Sequence, residues 1–192
     1  MLTLTRYVQI DATRMGSDLL DGGNRVADRL RENLSMWEVF KVQYFTSGSV
    51  DIEGALSLHA WLRPALVDMA KSKERTGPPT GSITGLVVDA RGLKVNPSVA
   101  PALTGPRGEA LYSIESTTAM AMAQRSPVIY VSDPADPFGV ARAGEQPLFV
   151  RAVGSSNGVD LSVSEADHAN IQQRAEEAPF LLHGNVVIVV SQ

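Results

Sequence analysis

Asp89 and Arg91 stand two residues apart in ITGLVVDARGL, residues 83–93. On an extended segment that spacing sends both side chains to the same face. A carboxylate beside a guanidinium, placed where the apolar run Leu86-Val87-Val88 ends, can bind an anion or move a proton. Open α/β sheets often hold ligands at strand ends. The same two groups can also close into an ion pair that fixes a turn at Gly92. Catalysis needs several groups converging. Asp89 and Arg91 come without a nucleophile, a metal-ligand cluster or a phosphate loop in the surrounding sequence. That favours the turn lock over the active site.

Other residue types that carry chemistry are scattered. His59, His168 and His183 are far apart, and none has a partner at the spacing of an H-E-x-x-H helix. His59 reads as the polar face of a strand, His168 as an early helical position beside Asp167, and His183 as the residue before a turn glycine. Surface or capping roles are expected for all three, and no metal site. No G-x-S-x-G elbow occurs. TGPRGEALY and GSSNGVD contain glycine but match neither a Walker loop nor a dinucleotide fingerprint. AMAMAQ, residues 119–124, reads as core filling. With no cysteine in the chain, disulfides, thiol catalysis and Cys-bound zinc are excluded. No catalytic residue and no cofactor is expected.

The chain has 192 residues, 44% apolar and 20% charged, enough for one sizeable core or two small ones. A net charge of −4 argues against nucleic acid as a partner. The densest basic run, Arg25, Arg29 and Arg31, is interleaved with Asp28 and Glu32 as on a solvated helix face. No stretch reaches the roughly 18 apolar residues of a membrane span. MLTLTRYVQIDATRM lacks the basic and long apolar regions of a secretion signal. On residues alone the compartment stays open.

The elements that must position these residues follow from periodicity. Residues 5–20 carry a loose helical pattern broken at Gly22-Gly23, and Asn24 is placed to cap a helix running to about Leu34. WEVFKVQYF (37–45) and VDIEGALSLH (50–59) read as a hairpin. The second strand alternates strictly, which predicts one buried face. WLRPALVDMAK (61–71) follows as a helix with Pro64 near its first turn. SKERTGPPTGS (72–82) is polar and rich in Pro and Gly, so it reads as a linker.

Short strands come next: Leu86–Val88, two around the Gly105–Gly108 turn, residues 127–132, 147–153 and 159–163, and the apolar NVVIVV (185–190), expected inside its sheet. Pro97 and Pro101 suggest that their segment lies at a sheet edge. DPADPFGVARAG reads as a loop with one helical turn, and residues 154–158 as a five-residue hairpin connection. SEAD opens a helix at Ser164 that runs to about Glu177.

The segment ITGLVVDARGLKVNPSVAPAL resembles the "tGLivDARGLgl.PalaP" signature of bacterial envelope proteins related to flagellar basal-disc protein P and small outer-membrane lipoproteins. PRGEALY, ARAGEQPLFVRAV, SEADHANI and FLLHGNVVIVV resemble further motifs of that group in the same order. Upstream, VQYFTSGSVDIEGALSLHAWL resembles its hairpin, so the likeness covers about residues 24–192. The resemblance implies a building block rather than an enzyme, at the periplasmic or outer-membrane side of the cell envelope. It also implies that Gly85, Asp89, Arg91, Gly92, Pro97 and Pro101 define the fold.

The expectation is therefore an α+β chain of two small domains, each a short mixed or antiparallel sheet packed with helices. Residues 1–71 form a helix-hairpin-helix part, 72–82 a linker and 83–192 a strand-rich part. The expected function is non-enzymatic assembly into a ring, disc or filament, flagellar in one version. Phe40, Tyr44 and Phe45 on the hairpin are the self-association candidates, because the first strand carries only Glu38 and Lys41 among large apolar residues. The competing expectation is a ligand-binding or enzymatic domain using Asp89 and Arg91 in a cleft.

Overall fold

The computed structural model describes residues 8–21, 25–33, 38–76 and 78–191. It is an α+β chain with two sheets: a two-stranded hairpin with helices, then a seven-stranded mixed sheet with helices. The first part runs α1 (Gly16–Asp21), α2 (Arg25–Asn33), β1 (Glu38–Tyr44), β2 (Val50–Ala55) and α3 (Leu58–Met69).

The helix expected over 5–20 begins only at Gly16, and residues 1–7 lie outside the described residues. The cause is local. Asp11 Oδ1 accepts the backbone N–H groups of Thr13 and Arg14, each at 2.9 Å. This side-chain turn competes with a helix for the same donors. The proposed caps and ends at Asn24 and Leu34, and Trp37, also fall outside the described residues.

The second strand is shorter than its alternation predicts. It ends at Ala55, and Leu58 and His59 instead open α3, where Ser57 Oγ accepts from Ala60 N at 3.3 Å. Ser is a strong N-cap, and that cap overrides the period-two pattern. Starting α3 at Leu58 puts Pro64 inside the helix rather than in its first turn. A proline there leaves the carbonyl four residues back without its donor. That carbonyl belongs to Ala60, and Asn33 Nδ2 donates to it at 3.2 Å and to Trp61 O at 3.3 Å. In return, Trp61 Nε1 donates to Leu30 O at 3.0 Å, so α2 and α3 are stitched in both directions.

The second part runs β3 (Gly85–Asp89), β4 (Leu103–Thr104), β5 (Ala110–Tyr112), α4 (Ala119–Gln124), β6 (Val128–Val131), α5 (Pro137–Ala143), β7 (Pro147–Ser156), β8 (Asp160–Val163), α6 (Glu165–Glu177) and β9 (Val186–Val189). Their order in the sheet is β5-β4-β8-β7-β3-β9-β6. Strands β7, β3, β9 and β6 are mutually parallel, while β7–β8 and β4–β5 are antiparallel. The continuous apolar run of β9 is buried at every position, between β3 and β6. Strands buried on both faces carry such runs.

One face of this sheet holds Leu86, Val88, Val186 and Ile188 in a cluster with Ile171 of α6 and Phe180. The opposite face sets Val87, Val131, Val187 and Val189 against Ala143 of α5. That helix is longer than the single turn expected. Asp136 Oδ1 caps the N–H groups of Phe138 and Gly139, Pro137 begins the helix, and Gly144 ends it with φ 78°. Asp-Pro at the start and Gly at the end are the ordinary start and stop signals.

Pro97 and Pro101 lie in the loop before β4 rather than in an edge strand. Pro97 is exposed and Pro101 buried, and β5 forms that edge of the sheet. Likewise β7 extends to Ser156 instead of stopping near 153. Asn157 and Gly158 turn the chain with φ 54° and 69°, and Val159 N donates to Ser156 O at 3.0 Å. An Asn-Gly pair suits such positive φ values.

Segment 72–82 is tied down at both ends. Ser72 N donates to Thr117 O, and Gly81 N to Glu177 O, each at 3.1 Å. A second cluster spans it, joining Ile10, Leu20, Leu30, Trp61, Leu62 and Leu66 to Ala100, Ile114, Ala121 and Met122.

Candidate functional site

Asp89 ends β3, and the chain turns directly after it. Its carboxylate accepts Arg91 N at 3.0 Å, Arg91 Nε at 2.9 Å and Arg91 Nη2 at 2.7 Å. The guanidinium fork thus closes on the carboxylate in a bidentate pair. The Arg91 hydrogen bond holds the Asp89 carboxyl down at about 2, and Asp89 in turn raises Arg91 above its ordinary value. Gly92 completes the turn with φ 89°, a conformation that a Cβ disfavours, and its N–H donates to Ser191 Oγ at 3.2 Å. Three of the roughly four lone pairs of this carboxylate accept from Arg91.

Gly85, at the other end of β3, is required by contact rather than by φ. A Cβ there would collide with the Ala143 carbonyl oxygen, because the C-terminus of α5 rests on the start of the strand. Thr84 Oγ1 donates to that same carbonyl at 2.7 Å and accepts Gln146 N at 2.9 Å. Gly85 and Gly92 therefore bracket β3, one for close packing and one for the turn.

The hairpin candidates sit on a different surface. Every residue of β1 and β2 is exposed, against the expectation of one buried face. The alternation is nonetheless real. Val42 pairs with Ile52 and Tyr44 with Val50 on one face, and Gln43 pairs with Asp51 and Lys41 with Glu53 on the other. Lys41 Nζ lies 2.5 Å from Glu53 Oε1. Phe40 is the extra residue where the register shifts. Phe40 is 67% exposed, Tyr44 79% and Phe45 40%. This is an amphipathic ribbon whose apolar face has no partner among the described residues.

The histidines are dispersed, and among the described residues no three His, Cys, Asp or Glu side chains gather as metal ligands. His59 lies in the first turn of α3 rather than on a strand, and its Nε2 donates to Met122 O at 3.1 Å. His168 is buried inside the fold, which corrects the surface or capping role expected of it; α6 turns it toward the sheet. His183 lies 3.6 Å from Glu74. Within AMAMAQ, Ala121 and Met122 fill the core as expected, while Met120 is exposed.

Grooves open on the surface of the described residues. One of about 550 Å³ runs between Leu58, His59, Ser98, Val128 and Tyr130. Another of about 240 Å³ is lined by Glu74, Arg125, His183 and Asn185. Neither Asp89 nor Arg91 lines them. Among the described residues no helix is long and apolar enough to cross a membrane.

Sequence reasoning missed one charged anchor. Arg142 of α5 donates through Nη1 to Ser126 O at 2.7 Å and to Gly184 O at 2.8 Å, and burial lowers its pKa. It holds the loops that lead into β6 and β9. Nothing in the local sequence signals this, since residues 126, 142 and 184 meet only in the fold.

No curated protein matches the chain. Residues 85–192, from the first residue of β3 to the C-terminus, match the family model described as Treponema pallidum Tp0624, second domain. That stretch takes in Asp89, Arg91, Gly92 and all seven strands of the larger sheet, more than half of the chain, and the protein therefore belongs to the family of the Treponema pallidum Tp0624 second domain.

Proposed function

We propose that this chain is a non-enzymatic assembly protein of the bacterial cell envelope, which associates with copies of itself through the β1–β2 hairpin. The observation that carries this reading is the bare apolar face of that hairpin. Val42, Tyr44, Val50 and Ile52 are all at least 44% exposed and lie together on one side. An isolated two-stranded hairpin is marginal in water, and packing against another element is what makes it stable. Contiguous exposed apolar surface of this kind marks interaction sites.

Placement in the periplasm or at the outer membrane rests on the resemblance of the GLVVDARGL segment to the envelope group. So does the finer idea of a ring, disc or filament, with a flagellar association as its narrowest form. The alternative, in which Asp89 and Arg91 work on a ligand in a cleft, is weakened by the geometry of the pair. Its carboxylate is held by Arg91, and neither residue lines the two grooves described.

Sedimentation velocity over a micromolar concentration series tests the assembly reading. The parent protein is expected to form species larger than a monomer, and Tyr44→Asp to shift it toward monomer. A parent that stays monomeric throughout overturns it.

A further inference from the structure

A second bare surface accompanies the hairpin. Along β7, Val150 and Ala152 point into the cluster under α6, while Phe149, Arg151 and Val153 point to the opposite face. On that face α5 packs over β3, β9 and β6. Phe149 remains 64% exposed and Val153 59%, with Phe138 and Val140 of α5 exposed as well. Apart from Leu58 and Met120, every exposed large apolar side chain among the described residues belongs to the hairpin and its turn or to these two neighbouring elements.

We propose that the hairpin of one copy docks across the Phe149–Arg151–Val153 strip of the next copy, head to tail. This deepens the self-association reading above and rests on it. The two surfaces are unlike, and a contact joining like with like would cover one and leave the other wet. A contact between unlike surfaces covers both, and repeats into a ring or a filament according to the rotation between copies.

Charge agrees with this choice of occupant. The hairpin strands carry Glu38, Asp51 and Glu53 against Lys41 alone. The strip is centred on Arg151, whose register partner on β3 is Asp89, and Asp89 is already held by Arg91. Asp89, Arg91 and Arg151 together carry one net positive charge beside two apolar side chains, and with Lys41 paired to Glu53 the hairpin keeps Glu38 and Asp51 as net negative charge. Complementary potentials of this kind steer encounter and set the register of a contact.

The experiment uses two variants of the full chain, Tyr44→Asp/Ile52→Asp on the hairpin and Phe149→Asp/Val153→Asp on the strip. All four positions are exposed, and unchanged circular dichroism confirms the fold of each variant. Each alone is expected to be monomeric. Mixed in equal amounts, they should form a heterodimer, one intact hairpin on one intact strip, and nothing larger. If the strip variant assembles like the parent, the strip is not the dock, and self-association through the hairpin stands without it. If both are monomeric and the mixture gives no heterodimer, the head-to-tail contact is overturned. Arg151→Glu, which removes little apolar surface, must also weaken assembly by several-fold, and unchanged assembly counts against the proposal. A monomeric parent overturns both readings together.

Discussion

The hairpin and the larger sheet are built from the same residue types and meet opposite fates. Strand β2 contributes Val50 and Ile52, strand β9 Val186 to Val189 with Ile188 among them. In β9 these side chains are buried because helices cover both faces. In β2 they are exposed because, among the described residues, the strand has one neighbour and no layer above it. β-Propensity is fitness for a pleated, half-buried surface, so it measures a requirement that a single chain meets in one region and leaves unmet in the other. The difference teaches that the sheet's stability belongs to the chain, while under the proposed self-association the hairpin's would depend on the assembly.

The largest expected effect separates these two cases with one substitution chemistry. Ile188→Ala, at a site 4% exposed, should destabilise the fold by about 2–5 kcal/mol through lost burial and a cavity. Ile52→Ala, at 53%, should stay within about 0.5 kcal/mol when measured at a dilution where the chain is monomeric. Chemical denaturation of both variants provides the numbers. Equal losses would mean that the hairpin packs on its own chain, and the comparison would break.

How much of this was legible in the residues depends on what decides each element. Continuous apolar runs such as VVIV announce a strand buried on both faces, and the turn at Asp89-Arg91-Gly92 was readable because residues two apart must meet. The alternation of β2 was legible too, but it reports chemistry, not coverage, and the missing layer cannot be seen in a strand's own sequence. Ser57 shows the limit in another way. Its capping bond to Ala60 turned Leu58 and His59 from strand to helix, against a pattern that ran through both. α5 was signalled by Asp136, Pro137 and Gly144, and its short length hid the signal. The Arg142 anchor depends on long-range meetings that no local window contains.

A smaller effect compares two glycines, one in each region. Gly85→Ala would press its Cβ against the Ala143 backbone oxygen, and backbone cannot swing aside as a flexible side chain can. Overpacking of this kind costs about 1–3 kcal/mol, which lowers Tm by several degrees in a chain of this size. Gly48, in the hairpin turn, has φ 83° and nothing within 4 Å of a Cβ. Gly48→Ala therefore meets only backbone strain, about 1 kcal/mol, and confined to the hairpin. Thermal melts should show Gly85→Ala as the clearly less stable variant. A Gly48→Ala loss as large as that of Gly85→Ala would show that the hairpin and the sheet unfold as one unit.

The smallest effect tests whether the Asp89 pair contributes energy or only geometry. Its folded pKa of about 2 lies below the ordinary carboxyl value of 3.8, so the folded chain binds fewer protons than the unfolded one in between. The stability from Asp89 is then fully present above about pH 3.8 and is lost as pH falls through about 2. The Asp89 side chain is one-third exposed, and solvent screens the pair, so the contribution is well under what the shift alone implies. An acid melt of the parent alone would mislead, because burial raises the Asp160 carboxyl and gives a change of opposite sign: its protonation on acidification relieves a cost. The difference between parent and Asp89→Asn cancels that second group. At pH 7 the variant should melt about 1–2 °C lower, and the gap should close between pH 4 and pH 2. A gap that stays constant into acid would assign the loss to the shape of the turn at Gly92, not to the charge of Asp89.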